Sequence, residues 1–138
     1  MKKFNLFLTL GILLLSAVII SSGCKKKSDP IVPVVPAFTV TAIPVTFQDG
    51  SLGLQFFGKC NNDDVKMTKV TVFDPISSSI PPFNCNGTYY VKNETFGLQD
   101  PTTGYPKELG TWTFNFQGNR TADGVSFSTS TTLAVTGK

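Results

Sequence analysis

The chain has 138 residues, of which 12 are basic and 9 acidic, and it contains no histidine. It therefore cannot build a Ser-His-Asp or Cys-His site from its own residues, and it lacks the commonest metal ligand. Residues 30–138 hold seven basic against eight acidic residues, so the body is near neutral and the basic stripe of a nucleic-acid binder is missing.

At the N-terminus, Met1-Lys2-Lys3 leads into an apolar run from Phe4 to Ile20, the layout of a secretory signal. Ser21-Ser22-Gly23-Cys24 follows, small residues ending in a cysteine. This resembles the lipobox of Gram-negative bacterial lipoproteins, with Ser21 standing where that family prefers Leu, Val or Ile. The resemblance implies cleavage after Gly23, diacylglycerol on the Cys24 thiol and a further acyl chain, of the palmitate type, on the new N-terminus. It also implies a place in the cell envelope, on the outer membrane because Lys25 and not aspartate follows the cysteine. Periplasmic and surface-facing placements both stay open. The alternative is an uncleaved span, since about twenty apolar residues cross a bilayer, with Lys25-Lys26-Lys27 as the stop-transfer charge. Positive charge at both ends makes a weak orienting signal. Either reading attaches the rest of the chain to a membrane.

The chain accordingly divides into a signal peptide at 1–23, a lipidated start and Lys/Pro-rich tether at 24–36, and one domain at 37–138. The 115 residues after the signal suit a single core. The three prolines at 30, 33 and 36 favour extended polyproline II geometry, which at about 3.1 Å per residue lifts a domain a few tens of Å from its anchor.

Period-two alternation then recurs along the body, the mark of half-buried strands. Phe38, Val40 and Ala42 alternate up to Pro44, after which Val45 and Phe47 resume; the proline suits a kinked edge strand. Leu52, Leu54, Phe56 and Cys60 are in phase, which aims Cys60 at the core. Val70 and Val72 follow the Asn61-Asn62-Asp63-Asp64 turn. Pro75 to Asn86, with Pro81-Pro82 and three serines, reads as a long loop or a strand crossing between sheets, and strand pattern resumes from Gly87 to Lys92. Trp112, Phe114 and Phe116 share a face, as do Val125, Phe127, Leu133 and Val135, with a Gly118–Gly124 hairpin connection between them. Six or seven short strands without helical periodicity predict an all-β, single antiparallel β-sandwich.

With Cys24 assigned to lipid, Cys60 and Cys85 remain in an oxidising compartment. A disulfide between them, contributing about 3 kcal/mol in the chain-entropy model, is expected; two buried free thiols are the alternative.

Gly110-Thr111-Trp112-Thr113-Phe114 and the strand order around it resemble immunoglobulin-like or fibronectin type III-like modules of bacterial surface proteins, with a jelly roll as the second choice of fold. That resemblance implies a binding or spacing role and no chemistry of its own.

Candidate site residues are few. Asp63 and Asp64 are adjacent and read as turn carboxylates rather than an acid/base pair. They and Gln48-Asp49-Gly50 supply oxygen-rich loops that read as turns before calcium ligands. Tyr89 and Tyr90 are consecutive in a strand, so one faces the core and the other outward. The outward ring, with Tyr105 or Phe83, suits stacking on a sugar or anchoring a protein. No metal or cofactor is implied and no enzyme is expected. The function anticipated is a membrane-anchored, non-catalytic envelope module that binds a glycan or envelope protein and no nucleic acid; the second reading is a structural spacer or subunit of an envelope assembly.

Overall fold

In the computed structural model, residues 34–76, 80–99 and 104–137 are described; the expected signal, Cys24 and the expected tether up to Pro33 lie outside them. Eight strands follow in chain order: β1 (Phe38–Thr46), β2 (Leu52–Cys60), β3 (Val65–Phe73), β4 (Phe83–Tyr90), β5 (Thr95–Gly97), β6 (Tyr105–Pro106), β7 (Gly110–Arg120) and β8 (Ser126–Val135). They form two antiparallel sheets. One has the order β1-β2-β5 with β6 also on β2, and the other has the order β4-β3-β7-β8. Two sheets whose members alternate along the chain in this way make the expected β-sandwich.

The two sheets meet through aromatic rings contributed by alternate residues. Phe56 of β2 lies 4.8 Å from Trp112 and 5.0 Å from Phe114, both of β7. Phe38 stacks on Phe116 at 4.1 Å. Each such ring removes apolar surface worth about 1.5–3 kcal/mol from water. Trp112, Phe56, Phe114, Phe116 and Met67 are among the largest fully buried side chains, so the alternation read from the sequence marks the packed face. The indole N–H of Trp112 donates to Glu108 O at 3.0 Å, so burying the ring leaves no orphan donor.

Several expectations are refined. Of the long loop or strand crossing expected for 75–86, Phe83 to Asn86 belong to β4, which stays in one sheet and pairs with β3 from Val70↔Phe83 onward. The ladder shifts register between Met67 and Lys69, and that bulge interrupts the alternation which would have betrayed the strand. Pro44 lies in an edge strand as expected, pairing with Leu54 in an unshifted register, its missing N–H on the outer side. β5 and β6, three and two residues long, are too short to leave a periodic signal. Between them, Gln99 extends the pairing of β2, its buried Oε1 accepting from Phe56 N at 2.9 Å.

The expected disulfide is absent; Cys60 and Cys85 are both buried free thiols. Cys60 ends β2 in one sheet, where its sulfur lies 3.7 Å from Asn62 Oδ1. Cys85 lies in β4, the outer strand of the other sheet, and burial pushes its thiol up to about 11. Cys60 does face the core, as its phase in β2 requires.

Val34–Lys138 form one compact unit, and Val35 O accepts from Asn62 Nδ2 at 3.0 Å.

Candidate functional site

The outer face of the β4-β3-β7-β8 sheet carries a groove of about 590 Å³. Its walls come from three adjacent strands and one turn: Lys66 and Thr68 of β3, Asn86 and Tyr89 of β4, Asn119 and Arg120 of β7, and Thr121 in the β7-β8 turn. The bulge opens this hollow. Asn86 and Gly87 both adopt positive φ, 52° and 73°, and Gly87 lies so close to Lys66 that an added Cβ would come 3.1 Å from its Cε. Asn-Gly is the dipeptide that takes left-handed backbone at least cost, so the sequence favours the bulge at this point of the strand.

The wall is braced from beneath. Arg120, the chain's single arginine, donates from Nε to Asp63 Oδ2 at 2.6 Å and from Nη1 to Asp123 Oδ2 at 3.0 Å. Those carboxylates hold its guanidinium protonated above the usual arginine range, the Asp63 hydrogen bond contributing most. Asp64 accepts from Tyr89 OH at 3.1 Å and from Lys92 N at 2.7 Å, while Asp64 O accepts from Thr121 N at 3.0 Å. The Tyr89 hydroxyl, bonded to a carboxylate, is held above its ordinary pKa and stays a phenol. Asp63 and Asp64 therefore act as ties that join the β2-β3 connection to β4 and β7. Asp49 is likewise a turn residue, its Oδ1 accepting from Ser51 N and Oγ, which lowers its pKa.

Four groove groups remain unspent. The Tyr89 ring is half exposed, at 49 %. Asn86, Lys66 and Thr121 make no side-chain hydrogen bond or ion pair with the described residues. Inside the domain, in contrast, no buried side-chain N or O of the described residues lacks a partner. Folding accounts for the interior polar groups and leaves these outer ones available. An aromatic face bordered by an amide, a hydroxyl and an ammonium can stack on a ring while hydrogen-bonding its substituents.

The candidate tyrosines separate. Tyr89 is in the groove. Tyr90 turns to the other side of the sheet and stacks on Phe96 at 4.2 Å. Tyr105 is corrected as a ligand contact, being 8 % exposed, with its hydroxyl donating to Leu98 O at 2.9 Å; burial raises its pKa to about 12. Phe83 is partly buried against the core. Sequence reasoning missed Lys66, Asn86 and Thr121, although Asn86-Gly87 inside a strand was a readable bulge signal. A second, apolar cleft of about 330 Å³ lies between β1 and β8, beside Ala42, Leu54, Leu133 and Val135, with Lys107 its one titratable residue. No family model, curated protein or solved structure matches this chain.

Proposed function

We propose that this chain is a membrane-anchored lipoprotein of the bacterial cell envelope whose β-sandwich is a non-catalytic binding module, and that the Tyr89 groove takes a glycan. The observation that carries the glycan reading is the half-exposed Tyr89 ring set among three polar side chains with no internal partner. Sugar rings offer an apolar C–H face to an aromatic ring and hydroxyls to amides, ammonium groups and hydroxyls. Affinity from such a shallow contact is modest, in keeping with a module that acts where its target is concentrated.

The envelope reading rests on the signal-like start and on the Ser21-Ser22-Gly23-Cys24 lipobox. In this account the lipid on Cys24 anchors the chain, on the outer membrane, and the proline-rich tether sets the groove clear of the surface. Mass spectrometry of the mature N-terminus, with Cys24→Ala as control, tests the anchor: an acylated Cys24 is expected, and an intact Met1 would overturn it.

The groove is tested by presenting full-length protein, extracted in detergent, to a panel of envelope glycans. Binding lost in Tyr89→Ala and weakened in Asn86→Ala is the expected result. Retention of an envelope protein instead, unaffected by Tyr89→Ala, would move the module to a protein partner.

A further inference from the structure

The two sheets have four free edges, and three are protected against pairing with another strand. β1 contains Pro44, β4 is bulged at Asn86-Gly87, and the β5-β6 edge consists of segments of three and two residues. Prolines, bulges and short strands are the usual means of blocking edge-to-edge association. β8 has none of them. It is ten residues long, uncharged and without proline or glycine, and it pairs with β7 in an unshifted register from Asn119↔Ser126 to Gly110↔Val135.

The phase of that ladder decides which backbone groups are left over. Arg120 N donates to Val125 O at 2.9 Å, and hydrogen-bonded pairs alternate along an antiparallel ladder. Phe127, Thr129, Thr131, Leu133 and Val135 therefore turn their N–H and C=O groups to β7. Ser126, Ser128, Ser130, Thr132 and Ala134 turn theirs the other way, where no described strand pairs with them, although β1 borders the Leu133–Val135 end across the apolar cleft.

The segment from Val125 to Val135 is chemically symmetric about Ser130: Val-Ser-Phe-Ser-Thr on one side and, read backwards, Val-Ala-Leu-Thr-Thr on the other. We propose that β8 is a homotypic docking edge, on which the β8 of a second copy of this chain pairs antiparallel about a two-fold axis at Ser130. The two four-stranded sheets then become one of eight strands. In that register Ser130 meets its own copy, Ser128 meets Thr132 and Ser126 meets Ala134, so every outward backbone group is paired in about ten hydrogen bonds.

The side chains agree with the same axis. On the core side Phe127 lies opposite Leu133 and Thr129 opposite Thr131, with Val125, exposed in the single chain, opposite Val135. Cross-strand apolar and threonine pairs stabilise such contacts, and a slip of one residue would put Phe127 opposite Thr132 or Ala134 and turn the partner's faces over. The occupant is a second copy because the edge complements itself. A two-fold contact needs a patch that matches its own reverse, and an uncharged strand brings no like charges together at the axis.

Thiol crosslinking tests this in the full-length chain on its own membrane. Ser130→Cys should give a covalent dimer with a short bifunctional reagent. Thr113→Cys, one strand further in on the same face at about 4.8 Å per strand from the axis, should give none above the unsubstituted chain. Sedimentation of detergent-extracted protein adds a reversible readout: wild type is a dimer, Ser130→Lys a monomer, and a mixture of Ser130→Lys and Ser130→Glu chains a dimer again. Ser130 is exposed, so thermal melts should show all these variants folded. Equal crosslinking at 113 and 130, a monomeric wild type, a dimer indifferent to Ser130→Lys, or a crosslink to a different polypeptide would each overturn the proposal.

Discussion

The β4-β3-β7-β8 sheet has two faces that obey different rules. On the inner face Val65, Met67, Val70, Val72, Phe114 and Phe116 are fully enclosed, and the rings of β7 interlock with Phe56 and Phe38 of the opposite sheet. On the outer face Lys66, Asn86 and Thr121 surround an exposed Tyr89 without internal partners. A side chain on the inner face is constrained by volume, since close-packed interiors register even one methylene. The outer face carries only exposed or part-buried polar ties, Arg120 to Asp63 and Tyr89 to Asp64, and leaves Lys66, Asn86 and Thr121 to be constrained by what they meet from outside. The packed core thus lies on one side of these strands, and the groove proposed for glycan binding lies on the other.

Substitutions that respect or cross this division should rank accordingly. Phe56→Ala, which removes a ring shared by Trp112, Phe114 and Tyr105, should lower stability by about 3–5 kcal/mol in urea unfolding. Gly118→Ala breaks the separation of the faces, because its Cβ would collide with the Lys66 carbonyl across the β3-β7 ladder. A loss of about 1–3 kcal/mol is expected, together with weaker glycan binding as the Lys66 wall of the groove moves.

A smaller effect comes with alkaline pH. The folded Cys85 thiol titrates at about 11, against an ordinary value of 9.0, so above pH 9 the unfolded chain loses its proton first. The stability associated with the protonated thiol is fully present below about 9 and declines as pH rises towards 11. Cys85→Ala should flatten that part of the profile measured by chemical unfolding. Reductant, finally, should change nothing: with Cys60 and Cys85 as free thiols, the melting temperature is expected to be the same with and without dithiothreitol, whereas a native disulfide would make it fall.

The inner face was legible in the sequence because burial imposes a period of two. Trp112, Phe114, Phe116, Leu54 and Phe56 all lie where alternation puts them, and the Tyr89-Tyr90 pair splits between faces as consecutive strand residues must. The groove was less legible. Its residues come from β3, β4 and β7, which only pairing brings together, and it depends on a bulge that hides β4 from periodic analysis. Tyr105 was misjudged because a two-residue strand leaves no phase from which to tell inward from outward. Cysteine parity suggested a bridge, but it carries no geometry, and the two thiols belong to different sheets.

The division between faces is tested most directly by measuring glycan binding and thermal stability together for Tyr89→Ala in the full-length chain. Binding lost with a melting temperature that falls only slightly, as expected for losing one exposed hydrogen bond to Asp64, is the predicted outcome. Binding retained at the wild-type level, or a melting temperature that falls as far as it does for Phe56→Ala, would contradict it.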